Sequence, residues 1–459
     1  MNRSSAHPLR VLAAVLAAWG ALLPAAAQAP LTLEEAIRES MSKSEEVLLL
    51  QEKQERFRSV KQQAWAGAFP RVSAYANAGR GGQPIDLSTF GFNGGDTAGG
   101  GDPPPSIVNI AQNRFSYGVE AQQSIFSFGR LGQAIRTANV QERSDAASRR
   151  RSLQQLQLQV LDAYYGAVTS KARLGTLEAS VKRQRETVAF LESNFRMGAG
   201  QRSIVLLAIT SLKSLEPQRI RAERDADAAR MALNRLLGRS VEAPLELDTA
   251  KRLELDPIKS IPEGEGLQNL IGERADIRAL DLQRASLEGQ ARYIKMQYLP
   301  SLGASGKLGV LAYKLNQLGD VEDNRDWQVG IGLTWPLFDG LATLAQSHQV
   351  QSDARSLGIT ARQVRKMVQI EIESAFREYQ AADTALSAAE QAVAAAQEAR
   401  ALLTQDFRAG KGQLTDMLSA EEQLLAAEFG VLGARYQRVR SQAALRLALG
   451  KGLINEEVR

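Results

Sequence analysis

The side chains able to do chemistry are few, and their spacing argues against an active site. His348 is the only histidine after the first 27 residues, the other of the two being His7. Its surroundings, SHQVQSDAR, offer neither a second ligand at a metal-binding interval nor a partner for a histidine-based triad. Glu421 and Glu422 are adjacent, so on a helix their carboxylates point about 100° apart and do not form an acid/base pair. The chain has no cysteine, which removes thiol catalysis, zinc–cysteine sites, disulfides and a lipid-modified N-terminal cysteine. Gly410-x-Gly412 resembles the start of a phosphate loop, but no strand precedes it and no Lys-Ser pair follows. The expectation is a protein that is not an enzyme, with no catalytic, metal or cofactor site.

The elements that position these residues repeat. FRMGAGQ at Phe195 to Gln201 returns as FRAGKGQ at Phe407 to Gln413, an offset of 407 − 195 = 212 residues. At the same offset Phe115 maps to Trp327, Phe126 to Phe338, Leu237 to Leu449 and Gly238 to Gly450. Collinearity of that kind marks an internal duplication. Upstream, AFPRVSAYANAG around Pro70 matches YLPSLGASGKLG around Pro300, which leaves 18 extra residues in the first half. They fall in GRGGQPIDLSTFGFNGGDTAGGGDPPP, whose Gly, Pro and Asp density reads as a long loop.

The chain of 459 residues opens with Arg3 and Arg10, an apolar run from Val11 to Leu23, and PAAAQA. That order is a secretory signal, too short in its apolar part to cross a bilayer as a helix. Without those two arginines, 54 basic residues face 51 acidic ones with no basic block, so no nucleic acid is expected as a partner. No later run is apolar enough for a transmembrane helix, but alternating β-barrel strands escape such a scan. The expected organisation is a signal peptide at 1–27, a first repeat at 28–238, a linker at 239–263, a second repeat at 264–450 and a tail at 451–459.

Each repeat reads as a helical segment (Leu31 to Phe69; Gly266 to Leu299) ended by Pro70 or Pro300, then two strands. A helix of about 70 residues follows (Ser127 to Met197; Asp339 to Ala409). It carries apolar positions at three-and-four spacing such as Ile372, Phe376, Tyr379, Ala382 and Leu386. Each Gly-x-Gly breaks it, and a return helix runs to Gly238 or Gly450. At about 1.5 Å per residue the long helix spans roughly 105 Å, close to the two shorter helices laid end to end. Alanine on several faces, as in AADTALSAAEQAVAAAQEA, suits a coiled-coil wall in which every helix has neighbours on both sides.

The strands bear on the solvent. FSYGVEAQQ puts Phe115, Tyr117, Val119 and Ala121 on one face. Its copy WQVGIGLTW sets Trp327, Val329, Ile331, Leu333 and Trp335 against Gln328, Gly330, Gly332 and Thr334. Nine residues with aromatics near the ends fit a bilayer-crossing strand, and Phe115, Tyr117, Trp327 and Trp335 are the expected membrane-interface aromatics. A soluble sandwich would use the same alternation, but four strands are too few for one. They are also too few to close a barrel, and an open edge cannot sit in lipid. Two copies would supply eight strands and three would supply twelve.

In this order the repeat, SIFSFGR, PLFDGLA, ERADIR at Glu273 to Arg278, and the two Phe-Arg-x-Gly-x-Gly-Gln turns with LTDML resemble the TolC-type outer-membrane efflux family over essentially the whole mature chain. The resemblance implies a mainly α homotrimer with a twelve-stranded β-barrel in outer-membrane lipid and an α-helical tunnel through the periplasm. It also implies two partners, a periplasmic adaptor and an inner-membrane transporter. The function implied is a passive exit duct of a tripartite efflux or type I secretion system; the alternative from another class is a non-conducting periplasmic scaffold. The Gly-x-Gly phrases become the periplasmic tips, with Gly198, Gly200, Gln201, Gly410, Gly412, Gln413 and Leu414 as adaptor-docking residues. The family's second tip carries acidic residues around a pore constriction. Asp416 matches the first, Ser419 stands where a second acid is found, and Ile204 is the first-repeat counterpart of Asp416.

Overall fold

The computed structural model describes residues 30–86, 107–248 and 257–454, so the expected signal peptide lies outside the described residues. It is mainly helical, and no described helix is long and apolar enough to cross a membrane. Contacts divide the chain into two units, each drawing on both repeats.

The first unit comprises Met1–Glu52, Ala147–Ile277 and Gln363–Arg459. It begins with α1 (Leu33–Lys43) and the start of α2 (Glu45–Ala66). Thr32 and Glu35 form a reciprocal capping box that fixes where α1 starts. Most of the long helix α3 (Arg130–Arg196) follows, then its return helix α4 (Arg202–Leu237). The second repeat supplies α5 (Glu265–Glu273), the start of α6 (Ala275–Lys295), most of α7 (Ala342–Arg408) and α8 (Leu414–Ala448). Helices α3 and α7 both have 67 residues, and their bounds differ by 212, as do the starts of α4 and α8.

The segments read as single short helices are each interrupted once. The first breaks at Ser44 (φ −66°, ψ 146°) and the second at Arg274 (φ −58°, ψ 141°), an extended residue in both. Each break receives the end of a return helix. Gly238 lies against Lys43, and Gly450 lies against Arg274. Both glycines adopt left-handed backbone, φ 70° and 77°, and both donate back into the last turn to close the helix. Around the first break Leu33, Ile37, Leu161, Tyr164, Leu233 and Leu237 form one core. Around the second, Leu267, Ile271, Ile277, Ile372 and Leu445 form its counterpart.

The second unit comprises Lys53–Ala146 and Arg278–Arg362. Its sheet is an antiparallel meander of β1 (Arg71–Asp86), β2 (Ile107–Phe126), β3 (Ser301–Ala312) and β4 (Arg325–Thr334), in that order. The long-loop expectation needs correction here. Its first residues, Gly79 to Asp86, are strand and pair as far as Asp86 with Ile107; the rest of that stretch, from 87 on, lies outside the described residues. Main-chain pairing is indifferent to the lost side-chain pattern, and β1 is an edge strand, where Pro84 can sit without breaking a ladder on both sides. At both strand-to-helix junctions two consecutive residues take positive φ, Phe128 and Gly129 in the first repeat, Gly340 and Leu341 in the second. The glycine has changed places while the turn has stayed the same.

Candidate functional site

Two surfaces carry the expected site residues, one in each unit. In the first unit the hairpin α3–α4 and the hairpin α7–α8 are built alike. Gly198 N donates to Phe195 O and Ala199 N to Asn194 O; Gly410 N donates to Phe407 O and Lys411 N to Asp406 O. Gly198 and Gly410 have φ of 78° and 74°, where a Cβ is disfavoured. Gly200 and Gly412 serve differently. A Cβ on either would approach the amide nitrogen of Phe195 or Phe407 to 3.2 or 3.1 Å.

The two turns sit at one place. Val188, Leu191, Val205 and Ala208 from the first hairpin form a single apolar cluster with Leu414, Met417 and Leu418 from the second. Leu414, expected as a docking residue, is 5 % exposed, so its side chain packs inside this end and is not available to a partner. Gly198, Gly200, Gln201, Gly410 and Gln413 are exposed and Gly412 is half-buried. Neither Gln201 nor Gln413 caps its helix with its side chain. The repeat is broken in one informative way. Ile204 packs against the shared cluster, whereas its counterpart Asp416 is exposed in the first turn of α8, with Ser419 exposed one turn further on.

The role of one residue in this unit escaped the sequence reading, which weighed Glu421 only against Glu422. Glu421 is 7 % exposed and accepts hydrogen bonds from Ser180 Oγ (3.1 Å), Arg183 Nε (2.7 Å) and Arg400 Nε (3.0 Å). One carboxylate thus ties α8 to both long helices. Glu428, two turns on, comes within 3.9 Å of Arg183, too far for a hydrogen bond. Burial pushes its carboxyl above the ordinary range, with Glu421 adding to the effect and Arg183 opposing it. A second charged group lies at the Arg274 break. Arg274, buried, donates to Ala448 O (2.6 Å), Arg151 donates to Leu447 O (3.1 Å), and Asp276 holds the Arg274 guanidinium through both oxygens. These arginines cap the carbonyl end of α8, the place where the helix dipole favours a cation. Burial pushes the Asp276 carboxyl up, but its bonds to Arg274 outweigh this and hold it below its usual range. The ERADIR phrase thus has a structural use. Among the described residues no cluster of potential ligands could hold a metal ion.

In the second unit the register assigns every strand residue to a face. Ser73, Glu120, Lys307 and Gln328 lie in one cross-strand row. Ser73 bonds Glu120 (3.0 Å), Lys307 pairs with Asp326 (3.2 Å) and lies 4.8 Å over the Tyr75 ring. The Tyr75 hydroxyl reaches across Gly118 and Gly309, where a Cβ would come within 2.8 and 2.5 Å of it. The opposite face is apolar and uncovered on β4: Trp327, Val329, Ile331 and Leu333 are 64–75 % exposed. Tyr117 is exposed and its hydroxyl donates to Leu318 O in the β3–β4 connection, while Phe115 is half-buried. Trp335 falls one residue past β4, exposed, its indole donating to Tyr298 O (3.1 Å). Phe126 and Phe128, which the sequence reading did not select, are exposed at the same end, their rings 4.7 Å apart edge to face.

Comparison with known proteins bears on both surfaces. A family model described as outer membrane efflux protein matches residues 37–239 and 266–451. The alkaline protease secretion protein AprF of Pseudomonas aeruginosa is 25 % identical over 350 residues, covering 72 % of this chain and 68 % of that protein. Nodulation protein T of Rhizobium leguminosarum bv. viciae is 23 % identical over 396 residues, 85 % of this chain and 80 % of that one. Among solved structures, the Campylobacter jejuni outer membrane channel CmeC superposes with a TM-score of 0.76 at 15 % identity, over 93 % of this chain and 87 % of that one. The open state of the Neisseria gonorrhoeae channel MtrE does so with a TM-score of 0.72 at 21 % identity, over 92 % and 89 %.

Proposed function

The chain belongs to the outer membrane efflux protein family, and from that premise we propose that it is the outer-membrane exit duct of a tripartite efflux or secretion system. The observation that carries this reading is the sheet, whose β4 face is apolar and open along its length while the other face is polar. Such a sheet suits lipid on one side and a water-filled lumen on the other. Three copies close twelve strands into a barrel, and the helices line a passage on the periplasmic side. The duct is passive, and an inner-membrane transporter supplies the energy.

The paired hairpin turns are the end that meets a periplasmic adaptor. Exposed backbone at Gly198, Gly200 and Gly410, with Gln201 and Gln413, offers main-chain and amide groups to it. Asp416 and Ser419 form the constriction, three copies of Asp416 making a carboxylate ring that favours cations. Adaptor binding opens the ring to the extent that it binds the open state more tightly.

Conductance of the purified protein in planar bilayers, compared with Asp416→Ala under salt gradients, tests both levels. The expected result is a small cation-selective conductance that rises, or loses its selectivity, in the variant. Identical channels would move the gate away from Asp416. A protein that never inserts would favour a non-conducting scaffold.

A further inference from the structure

The duct makes no use of a groove of about 540 Å³ in the second unit, between α3 and α6, lined by the exposed Arg136, Arg143 and Arg292. Gln133, Thr137 and Asn139 supply its other polar groups, and no carboxylate lines it. No described carboxylate forms an ion pair with any of the three guanidinium groups. Solvated surface arginines are ordinary; three gathered in one concave seam without a counter-charge are an anion site in search of its anion.

The seam is rigid. A Cβ at Gly289 would come within 2.6 Å of Thr137 Oγ1, and Gln133 Nε2 donates to Gly289 O (3.2 Å). Helices of the same chain flank it on both sides. Lys61 of α2 pairs with Glu142 of α3 (2.9 Å), and Ser347 of α7 donates to Ala291 O of α6 (3.1 Å). A second copy joining at those outer flanks leaves the groove open.

Side and height identify what reaches it. Arg130 lines a separate hollow with Gln122, Ser305 and Thr334 of the polar sheet face. At about 100° per residue, Arg136 and Arg143 are turned roughly 120° and 140° from Arg130, away from that polar-face hollow. Arg136 lies six residues into α3, roughly 9 Å along it, and Arg292 nine residues before β3, roughly 13 Å. The headgroup layer adds about 5–7 Å beyond the hydrocarbon on each side, within reach of guanidinium groups that extend toward it. We propose that this groove seats the phosphodiester of an anionic phospholipid in the leaflet next to the helices, with Arg136 and Arg292 as its bidentate partners and Arg143 extending the site. Basic pockets beside a membrane are suited to that role.

This inference rests on the membrane reading of the strands, and the test separates the two. Delipidated full-length oligomer is titrated with phosphatidylglycerol or phosphatidylcholine, and bound lipid is counted by native mass spectrometry. The same measurement is made on Arg136→Gln/Arg143→Gln/Arg292→Gln and on Arg130→Gln. Wild type and Arg130→Gln should retain phosphatidylglycerol at least tenfold better than phosphatidylcholine, and the triple variant should lose that preference. Equal retention of the two lipids by wild type, or undiminished preference in the triple variant, would overturn the proposal, as would displacement of the lipid by millimolar inorganic phosphate. If the triple variant fails to assemble, the Arg→Lys set replaces it, and its preference should still fall because an ammonium cannot bind bidentately. Conductance in neutral bilayers is recorded in parallel. Failure of wild type to insert would sink the duct while leaving the lipid count readable.

Discussion

Glu421 occupies a position where leucine would pack, since its buried neighbours on α8 are Leu414, Met417, Leu418, Ala420, Leu424 and Leu425. An acid survives there because Ser180, Arg183 and Arg400 take up its oxygens. That interruption of an apolar stripe was visible in the sequence, but nothing local named the arginines, one on α3 and one 21 residues upstream on α7. Comparing Glu421 only with its neighbour Glu422 asked the wrong question, because the two point to different surroundings. Glu421→Ala removes the hydrogen-bonded carboxylate from two partly buried guanidinium groups, leaving Arg183 only Glu428 at 3.9 Å. Removing one member of a buried pair costs about 3–5 kcal/mol, and the lower end applies here because Arg183 and Arg400 are 23 % and 29 % exposed. Glu422→Ala, on the exposed side, should change stability by less than ~0.5 kcal/mol. Thermal melting of the detergent-solubilised protein checks this, and equal shifts for the two variants would rule out the hub. The same reasoning explains Ile204 and Asp416. One sequence position in the repeat became core and the other became surface, which the alignment of repeats could locate but not assign.

At the scale of elements the long helices were legible almost to the residue, because Gly-x-Gly phrases and a constant offset mark their ends. The breaks at Ser44 and Arg274 were not, for neither Pro nor Gly stands there. They are set by tertiary contact, with Gly238 and Gly450 arriving from more than 170 residues away. This separates two uses of glycine that look identical in sequence. Gly198 and Gly238 share the left-handed conformation, φ 78° and 70°. A methyl group at Gly198 would have nothing within 4 Å of it, whereas at Gly238 it would meet Lys43 O at 2.5 Å. Gly198→Ala should therefore cost only the conformational term, about 1–2 kcal/mol. Gly238→Ala should cost at least ~2 kcal/mol more, since main chain must move to admit the methyl group. Denaturant titration of both variants tests the ordering. Equal losses would mean that the break at Ser44 yields freely.

At the scale of the whole molecule the decisive fact is an incomplete one. Strands β1 and β4 form the two edges of a four-stranded sheet and have no further strand beside them among the described residues. In water an edge can be tolerated, but in hydrocarbon each unpaired backbone group costs several kcal/mol, so a sheet that enters lipid must close. Copies of the same chain are the available source of partners. Counting strands alone admits eight or twelve, and membership of the family favours twelve. Native mass spectrometry of the detergent-extracted protein should therefore report three chains, a two-chain species being the result that would replace the twelve-stranded barrel with an eight-stranded one. Assembly should also depend on which face is altered. Val329 is 75 % exposed on the apolar face and Gln328 belongs to the polar one. Val329→Arg places a charge against lipid at a cost of about 2–4 kcal/mol near the midplane and should reduce the trimer recovered from membranes. Gln328→Arg, on the polar face that the duct reading turns to the lumen, should leave the yield unchanged while altering conductance. If both variants assembled equally well, the uncovered face of β4 would not be in contact with lipid, and the sheet would have to find its partners in water.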